Sequence, residues 1–242
     1  MAMEQRLSRL VLAGDSALMV EFASATHGWS GPEDIDQTTN QHVVALAHAI
    51  GQAAPPGVRD VVPAFTSLAV HFDPLRTDAG QLVALVEQLA RTAVDAPAIE
   101  SECVAVPVCY GGEYGPDLSG VAALTDLDGE QVVALHCART YRVFTIGFSP
   151  GFPYLGVVDE RLRVPRRASP RTRVAAGSVG LAGPQTGIYP VESPGGWHII
   201  GRTPLRIFDV ARARPCRFRP GMLVRFHAVT ALEYADLMSR PA

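Results

Sequence analysis

Ile146-Gly-Phe-Ser-Pro-Gly-Phe-Pro-Tyr-Leu-Gly156, Pro165-Arg-Arg-Ala-Ser-Pro-Arg-Thr-Arg-Val174 and Gly183-Pro-Gln-Thr-Gly-Ile-Tyr-Pro-Val-Glu-Ser-Pro-Gly-Gly-Trp-His-Ile-Ile-Gly-Arg-Thr-Pro204 concentrate the turn-forming residues of this chain. Glycine supplies backbone conformations that other residues avoid, and proline fixes φ and removes a donor. Segments so rich in both are not helical. From Tyr141 onward, short apolar runs between Gly/Pro turns predict a β-barrel or folded sheet. Rigid turns that aim arginine, serine, threonine and one histidine into a common space read as a binding site.

Upstream, the pattern changes. Arg6–Leu12 and Ala17–Phe22 are short apolar runs separated by Gly14-Asp15, a hairpin signal. Pro32–Ala53 has a helical pattern, with Ile35, Val43, Leu46, Ala47 and Ile50 on one face, and Pro55-Pro56-Gly57 stops it. Val58–Ala64 and Ser67–Phe72 read as strands. Thr77–Ala93 reads as a helix, because Leu82, Leu85, Val86 and Leu89 recur at helical spacing. Strand, strand, helix, strand, strand, helix predicts a small antiparallel sheet with helices packed on it.

The fold class is therefore α+β. A small α/β sandwich-like domain is expected over residues 1–95, a linker at Asp95–Glu100, and a second domain over 101–242. In the second, Cys103–Cys109 starts a strand, Tyr110–Asp117 is a turn-rich loop and Gly129–Arg139 is helical. Met222–Phe226 is a late strand, and Thr230–Met238 is a terminal helix. Ser149-Pro150-Gly151 and Ser193-Pro194-Gly195 echo one another and read as either equivalent turns or chance recurrence.

Composition bounds the chemistry. The chain has 242 residues and 48% hydrophobic content, enough for a substantial core. Its apolar runs are too short for a transmembrane helix, and its first residues lack the apolar core of a secretory signal, so a cytoplasmic location is expected. Four cysteines form no CxxC pair, so neither a disulfide nor a zinc site is expected. All 21 basic residues are arginine. The absence of lysine excludes Schiff-base chemistry, a lysine base and a Walker A loop. Recognition of phosphate or carboxylate falls to arginine forks, backbone amides and hydroxyls.

The net charge of −3 conceals a sharp asymmetry. Residues 1–138 carry 5 Arg against 18 acids, a charge of −13, whereas residues 139–225 carry 15 Arg against 4 acids, a charge of +11. That pattern fits a small anionic ligand or an acidic partner. It also fits strand arginines pairing with the acidic half. No nucleic-acid motif accompanies the basic residues, which lie between turns rather than along a helix, so neither nucleic acid nor membrane is an expected partner.

Individual residues carry competing readings. His198, the one histidine of the Gly/Pro-rich stretch, is a candidate proton donor, or else a histidine packed beside Trp197 and bonded to backbone. Strand alternation places Arg171 and Arg173 on one face, where two forks would grip an anion or line a solvated interface. Candidate catalytic groups are thus His198 and Arg171. Candidate substrate contacts are Arg166, Arg173, Ser178, Gln185, Thr186, Arg202 and Thr203, several of which also read as turn-satisfying side chains. Glu192 is expected to pair with arginine. Phe148, Phe152, Tyr154 and Trp197 form an apolar wall, for packing or for stacking. A serine nucleophile is not supported, because Pro150 follows Ser149 and removes an oxyanion donor. His42 and His48 do not share a helix face, and no metal site is expected.

At Tyr110-Gly-Gly-Glu-Tyr-Gly-Pro-Asp117, Arg139-Thr-Tyr-Arg-Val-Phe144, Ile146–Gly156, Pro165–Arg173 and Gly187–Pro204, the chain resembles a known family. That family comprises the B-subunit of ATP-dependent 5-oxoprolinase, also called allophanate hydrolase subunit 1, together with an inhibitor of a sporulation histidine kinase. Its domain is the carboxyltransferase domain, subdomain C/D. The resemblance covers essentially the whole chain and is strongest over residues 103–209. It implies a cyclophilin-like β-barrel as the second domain, resembling cyclophilin in fold only. It further implies action with a homologous C-subunit and a separate A-subunit of the same complex. The reaction would be the ATP-dependent opening of 5-oxoproline, a small carboxylated amide, to glutamate. ATP would sit on this chain or on a partner, with Mg²⁺ accompanying it. The family names leave two alternatives open: a peptide- or kinase-binding regulator, and one component of an allophanate-type amide hydrolase. Two positions depart from the family pattern. Ala175 stands where proline is common, and position 198 varies among His, Gln and Arg, so proton transfer by His198 is not obligatory for the family.

Overall fold

The computed structural model describes residues 7–23, 35–93 and 102–239. The chain divides into two compact units, 1–100 and 101–242. The expected linker at Asp95–Glu100 lies outside the described residues, as does Pro32; the helix expected from Pro32 begins only at Gln37, so Ile35 precedes it rather than lying on its face.

In the first unit, β1 (Leu7–Leu12), β2 (Ala17–Phe22), β3 (Val58–Pro63) and β4 (Ser67–Phe72) form an antiparallel sheet in the order β1-β2-β4-β3. Alternation makes it one-sided: Leu18, Val20 and Phe22 of β2 and Leu68, Val70 and Phe72 of β4 are buried, while the residues between them are not. Two helices supply apolar residues to that core, α1 (Gln37–Ala53) through Val43, Leu46 and Ile50, and α2 (Ala79–Ala93) through Leu82, Val86 and Ala90. Asp36 sets the start of α1 by accepting the backbone N–H groups of Thr38 and Thr39 at 2.9 and 3.1 Å.

The second unit is a closed seven-stranded barrel. Its strands are β5 (Cys103–Tyr110), β6 (Thr140–Ile146), β7 (Pro153–Gly156), β9 (Ser178–Ala182), β10 (Gln185–Ile188), β12 (His198–Arg202) and β13 (Leu223–Ala228). They run in the order β10-β7-β6-β13-β5-β12-β9, and β9 pairs with β10 to close the ring. Only β13 and β5 pair in parallel; the other pairs of the ring are antiparallel. Val106, Val108, Val143, Leu155, Val179, Leu181, Ile188 and Val224 are buried within one apolar core.

Outside the ring, β8 (Arg171–Val174) and β11 (Ser193–Gly195) form a separate two-stranded ribbon. Ser193-Pro194-Gly195 is therefore strand, whereas Ser149-Pro150-Gly151 is a turn between β6 and β7, and the two are not equivalent. Among the described residues the unit also holds three α-helices, α3 (Leu118–Thr125), α4 (Gly129–Cys137) and α5 (Ala231–Ser239), and one 3-10 turn at Glu160–Leu162. The turn-rich loop at Tyr110–Asp117 ends directly in α3, a helix that the sequence reading did not include. Its eight residues carry a glycine and little amphipathic pattern.

Glycines at two close approaches shape the outer barrel wall. A Cβ on Gly187 would stand 2.8 Å from the Phe152 ring, and one on Gly180 would stand 3.1 Å from Trp197 Cβ. The bare strands at these positions are what allow both aromatic side chains to approach the barrel backbone so closely.

Candidate functional site

Asp117 organises the arginine segment. It occupies the cap position of α3, yet its side chain makes no capping bond. The carboxylate instead accepts Arg167 Nη1 at 2.9 Å, Arg171 Nη1 at 2.7 Å, Arg171 Nη2 at 2.6 Å and the Ile199 amide at 2.7 Å. The Asp117 amide in turn donates to the Ile199 carbonyl at 2.9 Å. One carboxylate thus ties the end of the 110–117 loop to β12 and to the segment leading into β8. Burial alone would raise its pKa, but the Arg171 and Ile199 hydrogen bonds and the two guanidinium charges outweigh that effect and lower it.

The candidate residues separate into distinct environments. Arg171 is engaged on both Nη atoms by Asp117. Arg173, on the same strand, instead pairs with Glu192 at 2.6 Å, both side chains being largely exposed, which is the arginine pairing expected of that glutamate. The two forks are therefore held by separate carboxylates. Arg166 is exposed and pairs with no carboxylate among the described residues. Burial raises the Tyr234 phenol while Arg202 acts to lower it, and the Tyr234 ring meets Tyr114 at a tilt of 51° and a centroid distance of 4.6 Å.

His198 is buried, and its Nε2 lies 3.0 Å from the Pro165 carbonyl. A carbonyl only accepts, so Nε2 carries the proton and is committed to backbone. This is the geometry of the packed alternative rather than of a free proton donor. Ser178 and Thr203 are buried, and Thr203 Oγ1 accepts the Leu205 amide at 3.2 Å.

Gln185 and Thr186 are neighbours on β10 and so face opposite ways. Thr186 enters a buried relay. Its hydroxyl donates to the Gly180 carbonyl at 3.0 Å and therefore accepts from His136 Nε2 at 2.9 Å. His136 Nδ1 is then an acceptor, and the Tyr110 hydroxyl donates to it at 2.8 Å. Burial holds the His136 pKa down at about 3, so the ring is neutral. Gln185 faces the other way, beside Gly156 and Ala182 in the sheet register. It is buried, and its Nε2 has no hydrogen-bond partner among the described residues.

The expected apolar wall is present, with Tyr189 added to it. Phe152 packs edge-on against Tyr189 at 5.1 Å and Trp197 at 5.5 Å, and Tyr154 meets Trp197 at 6.0 Å. Phe148 stands at its margin, 63% exposed and with a φ of 66°. Burial raises the Tyr189 phenol, while a hydrogen bond with the Trp197 backbone and the charges of Arg166 and Arg171 act to lower it. Sequence reasoning missed Asp117, whose partners lie 50 to 82 residues away. Its one local signal is a carboxylate closing a Gly/Pro loop.

The carboxyltransferase domain, subdomain C and D, family model matches residues 8–218. The chain belongs to that family. It is 39% identical over 232 residues to the B-subunit of 5-oxoprolinase from Bacillus subtilis, covering 91% of this chain and 92% of that one. It is 47% identical over 173 residues to the B-subunit of 5-oxoprolinase from Escherichia coli O157:H7, covering 71% and 78% respectively. Among solved structures, TTHA0988 superposes with a TM-score of 0.76 at 38% identity over 89% of this chain. This chain spans only 40% of that longer polypeptide.

Proposed function

We propose that this chain is a non-autonomous subunit of an ATP-dependent 5-oxoprolinase, acting with a homologous C-subunit and with an A-subunit to open the lactam ring of 5-oxoproline to glutamate. The observation that carries this reading is 39–47% identity to curated proteins named as the B-subunit of 5-oxoprolinase, spanning most of their length. A lactam resists hydrolysis because its nitrogen lone pair is delocalised into the carbonyl. ATP supplies activation of that carbonyl oxygen. This chain contributes fixed positive charge around a small carboxylated ring.

Of the four arginines between 166 and 173, Arg167 and Arg171 are committed to Asp117 and Arg173 to Glu192. That leaves Arg166 as the one fork of the four without a carboxylate among the described residues, which fits a carboxylate better than a triphosphate. We therefore assign the nucleotide and its Mg²⁺ to a partner protein of the complex.

The test is oxoproline-dependent ATP hydrolysis and glutamate release with this chain co-expressed alongside its genomic neighbours, each omitted in turn. Activity that requires this chain supports the reading. An intact complex that is inert on oxoproline refutes it.

A further inference from the structure

Phe148 is a bulky residue in the left-handed region, at φ 66°, and its ring is 63% exposed. Such a conformation is disfavoured for any residue with a Cβ, and local strain of this kind clusters at ligand sites. Two weak edge contacts hold the ring, to Phe152 at 5.7 Å and Tyr189 at 6.4 Å. The next residue, Ser149, has a buried hydroxyl without a partner among the described residues. The Arg166 segment is anchored at this wall, because the Arg167 amide donates to the carbonyl of Gly196, the residue before Trp197, at 2.9 Å, and the charge of Arg166 acts on the Tyr154 and Tyr189 phenols. A strained exposed ring, an unused hydroxyl and an uncommitted guanidinium therefore border one aromatic wall.

We propose that this outer barrel face is the carboxylate subsite for the lactam substrate: Arg166 receives the carboxylate, and the ring lies against the exposed face of Phe148, which the buried Tyr189 backs. The identity of the ligand rests on the 5-oxoprolinase reading above. Arg166 suits the task because it surrenders no internal ion pair when it engages an anion, and its planar fork matches a carboxylate. Arg171 does not, because both of its Nη atoms are already on Asp117; its charge reinforces the local field instead. A flat amide ring stacks well on aromatic faces. Arg166 is thereby a substrate-binding residue for which Arg171 is only a neighbour.

The experiment compares 5-oxoproline with 5-oxoprolinamide, its neutral isostere, in the full complex. Arg166→Met should raise KM for the acid at least about tenfold and change kcat/KM for the amide less than about twofold, the loss expected for a charge-assisted contact. Arg166→Lys should recover part of the acid's advantage. Equal losses on both substrates, or no loss on either, overturn the subsite. An inert wild-type complex removes the oxoprolinase reading alone. The subsite is then judged by calorimetric titration of the full chain with 5-oxoproline. Binding that Arg166→Met abolishes upholds it, and binding that is absent or indifferent to Arg166→Met overturns it. Thermal melting checks that both variants remain folded.

Discussion

Replacing Asp117 by asparagine tests whether one carboxylate holds the arginine segment in place. The carboxyl group is 8% exposed and accepts four hydrogen bonds, three from guanidinium groups that are 27–32% exposed. Removing one partner of a buried ion pair costs about 3–5 kcal/mol. The partial exposure of both arginines lets water recover some of that, so a loss of about 3 kcal/mol from the second unit is expected at neutral pH. The pH dependence carries a definite sign. The folded pKa lies below the unfolded value of about 3.9, so the stabilisation is full above that value. It is lost as pH falls from about 3.9 through the folded pKa. Urea unfolding from pH 7 down to pH 3, followed by Trp197 fluorescence in a Trp29→Phe background, measures both quantities. The gap between Asp117→Asn and its parent should be widest at pH 7 and close in acid. Arg171→Met combined with Asp117→Asn should cost less than the sum of the two single changes, since they share a partner. A loss under about 1 kcal/mol, or full additivity, would refute the assignment of Asp117 as the organising group.

Further perturbations address other parts of the second unit. His136→Phe should cost about 2 kcal/mol or more, because Tyr110 and Thr186 lose their shared partner, as denaturant titration would show. In wild type the folded His136 pKa of about 3 lies below the unfolded value, so stability is full above about pH 6.5 and declines below it. The variant should lack that one-proton component of the slope. Phe148→Gly should hold or raise the melting temperature by relieving the left-handed backbone, while raising KM for oxoproline in the complex. A fall in melting temperature with unchanged KM would count against both claims. Asp128→Ala removes the capping box of α4, in which Asp128 accepts the Gln131 amide at 2.7 Å, and should cost about 1 kcal/mol by the same titration.

Local chemistry made much of the architecture legible. The short apolar runs at Ala17–Phe22 and Ser67–Phe72, the helical spacing in Thr77–Ala93 and the Gly/Pro punctuation after Tyr141 each depend on neighbouring residues alone. The β-rich character of the second unit followed directly. The missed helix Leu118–Thr125 is short, and its packing supplies what its sequence pattern does not announce. For the site, arginine content and the lack of lysine limited which chemistry was available, and the aromatic wall was readable as a set. Which arginine is free was not readable. Arg166, Arg167, Arg171 and Arg173 look alike in the sequence, and an ion pair depends on which carboxylate the fold brings within about 4 Å. Barrel closure delivers Asp117 to Arg167 and Arg171 and leaves Arg166 exposed, with no carboxylate partner among the described residues. Strand periodicity likewise turns Thr186 and Gln185 to opposite faces, but only the tertiary structure places His136 against one and leaves the other's amide unpartnered among the described residues. Backbone preference is a property of short segments, whereas the pairing of charges is a property of distances that only the folded chain defines.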